Sequence, residues 1–448
     1  MAKRERLKAL TTSWTGRTAR AGRLAAGLGR VALRKAVDNA MERASDEEEA
    51  RASASALLDQ MDDLKGLALK LGQTVSYLDG MLPPAGQRVL RRLQRQAKPM
   101  EPEVAVAIVE RELGRSVEEA FDAFEPMPFA AASIGQVHRA RIGDRDVAVK
   151  VQYPEIARTL EIDLGNLDRL GLLAAVGSGV RSRGVVGELR ARLLEECDYR
   201  REALHQRTFA HWLGDDPSAR VPEVVRSHST ERVLTTELAL GQDFYTFAEQ
   251  APQEARDRAG QAIYRFAFQS IFQHSAFNAD PHPGNYLFGS DHVVFLDFGC
   301  VRLYRAGFID VWKRLAKATM AGDRATFAEA FEASGFVAKK GFDLEHQWRV
   351  MMYLYEPMLS SEPFRYTPQY VQRSWDALIK DNPNLRRLDM PPEWVFANRL
   401  QWGMNSVLAA LGATAVWGDI YRPLLELPSV DGQLLDDEQA PTGSSRGL

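Results

Sequence analysis

The feature that most constrains this chain is a spacing of three polar side chains. Asp280-Pro281-His282-Pro283-Gly284-Asn285 is followed, twelve residues after Asn285, by Asp297-Phe298-Gly299. The interval holds two short apolar runs, at 285–288 and 292–298, which read as a strand, a turn and a strand. That spacing sets an amide and a carboxylate oxygen on one side of a cleft, and both are hard ligands suited to Mg²⁺. Asp280, five residues before Asn285, would face an acceptor and orient or deprotonate it. Upstream, residues 133–154 alternate apolar and polar side chains on either side of Gly143-Asp144, a longer hairpin signal. Its second strand runs Val147-Ala148-Val149-Lys150. A lysine facing inward from a rigid strand is a fixed cation for phosphate, and its burial requires a carboxylate partner. Taken singly, an edge-strand lysine or an Asp-Pro turn is unremarkable; it is their occurrence together that carries weight.

Composition narrows the field. The chain has 448 residues, 45% of them hydrophobic, enough for two or three cooperative units. A disordered polymer, a collagen-like repeat and a disulfide-stapled miniprotein are excluded. The net charge of −3 argues against a general polyanion binder, and no nucleic-acid partner is expected. The charge is uneven, however. Residues 1–45 hold eleven Lys and Arg against three acids, so a basic arm precedes an acidic body. Such an arm suits an anionic membrane surface. Only Cys197 and Cys300 are present, which fits a reducing compartment. No secretory signal follows the basic start, so a cytoplasmic protein is expected, peripheral on the inner face of the membrane. Leu400–Gly418 is charge-free and long enough to span a bilayer. Its Gln401, Asn405, Ser406 and glycines favour a buried helix instead.

The chain divides by pattern. Residues 1–50 form a basic leader, partly disordered. Residues 51–125 read as helical, with Leu57, Leu58, Met61 and Leu64 at helical spacing and a break at Pro83-Pro84. A further helix is expected over 101–125, with Val104, Ile108 and Leu113 on one face. The hairpin at 133–154 follows, residues 156–213 return to helix with a Gly-rich break near 177–184, Arg232–Leu240 reads as a strand followed by a loop, and helices dominate from about 253. Residues 346–430 are expected to be helical and 431–448 to be a disordered polar tail. His138, without metal-ligand companions at useful spacing, reads as structural or solvent-facing.

At this point the chain resembles the UbiB/AarF family of atypical protein-kinase-like proteins, associated with isoprenoid-quinone biosynthesis and lipid metabolism. The resemblance covers about residues 60–345. Lys70-Leu71-Gly72-Gln73 is similar to the family's K-x-G-Q signature, and Ala130-Ala131-Ala132-Ser133-Ile134-Gly135 to the Ala-rich loop that replaces a glycine-rich one. Glu196-Cys197-Asp198-Tyr199 and Glu202 resemble the E-x-D helix. Ala279–Asn285 and Asp297-Phe298-Gly299 resemble the catalytic and metal motifs. One departure stands out: the family usually has His where this chain has Asn278. The resemblance implies an α+β, two-lobed protein-kinase-like fold with an N-terminal helical extension and a helical C-terminal region. The N-lobe would cover 126–245 and the C-lobe 246–345. It implies ATP or ADP with Mg²⁺, Asn285 and Asp297 as metal ligands, and Asp280 and Lys150 as catalytic residues. Ala130, Ala131, Ala132, Ser133, Gly135, Lys150, Glu202, Glu237 and Ala239 would bind nucleotide, Glu202 by pairing with Lys150. Lys70, Gln73, Glu196 and Asp198 would occlude the cleft. Glu196 and Asp198 are two apart and do not share a helical face, so at most one points straight at the cleft unless the helix ends or bends there. Solvated surface pairing stays open for any acid in 195–202.

Two further readings bear on function. Alanine restricts a phosphate loop, and only Gly135 retains free φ, so nucleotide grip should change. In conventional kinases an arginine precedes the catalytic aspartate; here it is Ala279. No Ala-Pro-Glu and no long polar segment follow Gly299, and helical patterning resumes by Ala306. A peptide platform and its phospho-switch are therefore missing. The expected activity is an ATPase or a small-molecule or lipid kinase, in quinone or lipid metabolism at a membrane surface, with a lipid or quinone precursor as ligand. A nucleotide-regulated pseudokinase module or scaffold for lipid-pathway enzymes is the alternative. A soluble-substrate phosphotransferase fits less well, given the Lys70–Gln73 extension and the Ala-rich loop.

Overall fold

The computed structural model describes residues 100–132, 134–158, 195, 197–278, 281–384, 387–389 and 391–436. The basic leader, the helical extension to residue 99 with Lys70 and Gln73, and Ser133, Glu196, Ala279, Asp280 and 437–448 lie outside the described residues.

The described chain opens with α1 (Pro102–Leu113), which buries Ala105, Ile108 and Val109. The helix expected to run to 125 stops at Leu113, because Gly114 turns left-handed at φ +68 and its N–H closes on the Glu110 carbonyl. Ser116 and Glu119 then cap α2 (Val117–Ala120) reciprocally. Strands β1 (Ala123–Phe124), β2 (Ala130–Ala131), β3 (Gly135–Ile142) and β4 (Arg145–Gln152) follow. Next come α3 (Tyr199–Leu213), β5 (Ala219–Arg220), β6 (Val233–Glu237), β7 (Gln242–Asp243), α4 (Phe244–Gln250) and α5 (Gln253–His274). The chain continues through β8 (Ala276–Asn278), β9 (Tyr286–Phe288), β10 (Val293–Phe295) and β11 (Val301–Leu303). Helices α6 (Ala306–Ala321), α7 (Arg324–Ala333), α8 (Leu344–Leu354), α9 (Glu356–Leu359), α10 (Pro368–Trp375), α11 (Pro392–Leu411) and α12 (Trp417–Leu425) complete it.

Two compact units result. Among the described residues the first takes in 100–158, 195–200 and 225–237, and the second 201–224 and 238–436. The chain crosses between them after Arg200, after Val224 and again after Glu237.

The first unit is built on an antiparallel sheet in the order β1-β3-β4-β6, with β2 also on β3. The β3–β4 hairpin turns at Gly143-Asp144, where Gly143 has φ +61, and pairs from Ile142↔Arg145 to Gly135↔Gln152. Val147, Val149 and Val151 are buried, and the alternation puts Ala148 and Lys150 on the other face. His138 is fully buried, so it is structural. Gln136 Oε1 accepts from the Met100 N–H, leaving its Nε2 to donate to His138 Nε2. His138 Nδ1–H therefore donates to the Glu125 carbonyl. Burial lowers the His138 pKa.

The second unit packs around α5. Tyr264, Phe268 and Phe272 of that helix meet Trp417 and Tyr421 of α12 in a wholly buried aromatic cluster. A four-stranded sheet runs β5-β10-β9-β7, and β8 pairs with β11. The charge-free stretch at 400–418 is not one helix. Gly412, at φ +60, ends α11, and α12 starts at Trp417. No helix among the described residues is long and apolar enough to cross a membrane. The disordered tail expected from 431 is not what 431–436 show. Asp431 accepts from the Ala306 N–H at 2.8 Å, Gly432 N–H donates to the Tyr304 carbonyl, and Leu435 N–H to Thr208 Oγ1. Just before it, Leu427 and Ser429 accept from the buried Lys313 ammonium. Burial lowers the Lys313 pKa.

Candidate active site

In the first unit the candidate residues sit at one end of the β3–β4 hairpin. Lys150 is half-buried on β4, and its ammonium lies 4.9 Å from the centre of the Tyr199 ring. A cation over an aromatic face is attracted by the ring quadrupole, by about 0.5–2 kcal/mol depending on desolvation. Tyr199 is fully buried at the start of α3. Asp198 Oδ1 accepts the Arg200 N–H at 3.0 Å, so Asp198 acts as an N-cap. The helix begins at Tyr199, directly after Asp198. Glu202, on the part of α3 that belongs to the second unit, is buried, where a carboxylate requires a partner.

The Ala-rich segment is part of the sheet. Ala130 pairs with Val137 and Ala131 with Gln136, and the Ala132 N–H closes the turn on the Gly135 carbonyl. Gly135 corrects an expectation. It does not use left-handed φ; it lies in β3. Its requirement is space, because a Cβ there would collide with the Val151 carbonyl oxygen and come within 2.9 Å of the Tyr199 hydroxyl. Glu237 and Ala239 are half-buried on either side of the unit boundary.

In the second unit β9 and β10 pair antiparallel, with Phe295 opposite Tyr286. The Leu296 N–H donates to the Asn285 carbonyl at 3.0 Å and carries the pairing one step further. Asn285 and Asp297 consequently line one cavity, together with Pro281 and Asn278. Asp297 Oδ1 accepts the Gly299 N–H at 2.9 Å. The Asp297 carbonyl accepts from Asn278 Nδ2 at 2.6 Å, and the Phe298 carbonyl from His205 Nδ1 at 2.9 Å. A carbonyl can only accept, so His205 carries its proton on Nδ1. Phe298 is fully buried, 5.2 Å from the Phe209 ring of α3. The expected pair of hard oxygen donors is therefore brought together. Among the described residues no cluster of three or more His, Cys, Asp or Glu forms. A two-donor site fits Mg²⁺, which keeps waters and takes phosphate oxygens for its other positions.

Two contributors escape sequence reasoning. His205 is a lone histidine on a helix, with no local signal. Gly403 of α11 stands where a Cβ would run into the Pro281 ring. Leu400 and Met404 of the same helix line the Asn285–Asp297 cavity. A helix more than a hundred residues downstream thus packs against Pro281, and the charge-free run containing Gly403 disguised it as a hydropathy question.

Comparison with known proteins decides the family. The ABC1 atypical kinase-like domain matches residues 92–331, more than half of the chain. The chain belongs to the ABC1 atypical kinase-like family. It is 33% identical to the mitochondrial atypical kinase COQ8B of Rattus norvegicus, over 94% of this chain and 82% of that one. The mitochondrial atypical kinase coq-8 of Caenorhabditis elegans is 32% identical over 84% of this chain, which spans only 51% of that relative. A solved structure, the Rv3197–erythromycin complex from Mycobacterium tuberculosis, superposes with a TM-score of 0.64 at 29% identity, covering 84% of this chain and 96% of its own. The UbiB/AarF resemblance and the α+β kinase-like fold are both borne out.

Proposed function

We propose that this ABC1-family chain binds ATP or ADP with Mg²⁺ and acts as an ATPase or as a kinase of a small or lipid-like acceptor. The observation that carries the reading is Asn285 and Asp297 on one cavity wall, with the Asp297 main chain held from β8. Bound Mg²⁺ would neutralise phosphate charge. Asn285 and Asp297 hold it. Lys150, paired with Glu202 as the family resemblance implies, orients phosphates. Ala130–Ala132, Ser133 and Gly135 cover them, and the backbone at Glu237 and Ala239 meets adenine. Asp280 positions the nucleophile or takes its proton. Lys70, Gln73, Glu196 and Asp198 limit access to the cleft, and residues 1–45 contact anionic lipid. The names of the COQ8 relatives support an atypical kinase, and the resemblance supports a place in quinone or lipid metabolism at a membrane surface.

The acceptor is not a protein side chain. After Gly299 the chain enters β11 and then α6 at Ala306, leaving no long segment to carry a peptide. The same feature favours one second reading, a nucleotide-regulated scaffold.

Thermal stabilisation by Mg-ATP and steady-state hydrolysis test this in the full chain. Asp297→Asn should lower hydrolysis on the order of 100-fold and remove the Mg²⁺-dependent stabilisation. Lys150→Ala should weaken nucleotide binding and leave folding intact. Unchanged stabilisation in both variants would sink the proposal. Asp297→Asn that restores the lipid profile of cells lacking the gene, with hydrolysis lost, would favour the scaffold.

A further inference from the structure

Asn278 occupies the end of β8, opposite Val301 of β11. Its two polar atoms have unlike fates. Nδ2 donates to the Asp297 carbonyl at 2.6 Å. Oδ1 is buried with no hydrogen-bond partner among the described residues. The orientation is unambiguous, since only the amide nitrogen can donate to a carbonyl. Leaving a buried acceptor unpaired costs about 1–3 kcal/mol. The Nδ2 contact reaches the residue whose carboxylate is the candidate metal ligand, and Asn278, Asn285 and Asp297 line one small cavity of about 20 Å³.

Three contacts immobilise this stretch of main chain. Asn278 holds the Asp297 carbonyl, His205 holds the Phe298 carbonyl, and the Gly299 N–H holds one Asp297 carboxylate oxygen. The first acts directly on the Asp297 carbonyl, from the end of β8. Without it the Asp297 carbonyl, in the same residue as the candidate metal-binding carboxylate, loses its partner from β8.

We propose that Asn278 is a positioning residue for metal binding: through its amide it fixes the Asp297 main chain, and so the direction in which that carboxylate meets a divalent cation. The proposal rests on the reading of Asn285 and Asp297 as metal ligands. It also gives the one departure from the family pattern a role. An asparagine amide and an imidazole N–H can each donate to the same carbonyl, so exchange between them preserves the contact.

The test is Mn²⁺ binding in the presence of ADP, followed by electron paramagnetic resonance on the full chain, beside the melting temperature without ligand. Asn278→Ala should weaken Mn²⁺ about tenfold, the size of one lost hydrogen bond. Asn278→His should restore affinity to within about twofold, because a donor returns. Asn278→Asp has nearly the same size but no donor, and carries the test if the alanine variant does not fold. A merely structural role would lower the melting temperature in Asn278→Ala and Asn278→Asp without moving Mn²⁺ affinity. That result, with Asp297→Asn losing Mn²⁺ tenfold or more, would overturn the proposal. If Asp297→Asn also kept native affinity, the metal-site reading would fail instead.

Discussion

The hairpin that carries Lys150 has eight residues on each side, whereas the one that joins Asn285 to Asp297 has three. The long hairpin holds its lysine by register. Val147, Val149 and Val151 fill the buried face, and a one-residue slip would exchange them for Ala148 and Lys150. The short hairpin has too few ladder bonds to define the ends of its strands. Its Asp297 end is held from outside, by Asn278 of β8, His205 of α3 and the burial of Phe298. A charge on a long strand is placed by local alternation, while a charge at the tip of a short one is placed by distant side chains.

Three perturbations break or sharpen that contrast. The largest effect should come from Phe298→Ala in the second unit. Removing a fully buried ring that packs on Phe209 should cost about 3–5 kcal/mol. Denaturant unfolding of the full chain measures it, and a loss below about 1 kcal/mol would show that the ring is not an anchor. Gly135→Ala in the first unit comes next, at about 1–3 kcal/mol, because the added methyl forces β4 and Tyr199 apart. Nucleotide affinity should fall with it. A variant with unchanged melting temperature and affinity would mean that Val151 and Tyr199 can yield, and register alone would not hold Lys150.

The smallest effect is acid sensitivity. His274, stacked on Trp212 at 4.4 Å, is lowered to about 4, by burial first and then by the charge of His211. His138 in the first unit is lowered by burial as well. Each folded-state value lies below the unfolded value of about 6.5, so between them the unfolded chain binds more protons and stability rises with pH. The contribution is complete above about pH 6.5 and is lost as pH falls toward 4 for His274. Melting temperatures at pH 7 and pH 5 should differ less in His274→Gln than in the native chain. An unaltered slope in that variant would remove His274 from the account.

Much of this was legible in the chain. The β3–β4 hairpin, the strand at 233–237, the long helix before the proline-rich turn and the two short strands after it all follow from period-two and period-3.6 patterns. Other features were not. The helix from 102 ended at Gly114, although apolar spacing continued beyond it. The polar residues 431–436 looked like a free tail because their partners, Tyr304, Ala306 and Thr208, are remote in sequence. Gly135 was read as conformational freedom, and proved to be a matter of close approach.

The sequence by itself determined which groups the chain offers: a strand-borne lysine, a hairpin closed by an amide and a carboxylate, and the family to which they belong. These are local properties, set by spacing and alternation along a few dozen residues. Only the tertiary structure decided how the carboxylate is aimed. Asn278 and His205 grip consecutive carbonyls, and Gly403 admits Pro281. Hydrogen-bond direction and the room for one methyl group depend on distances between segments far apart in the chain, which no local pattern encodes.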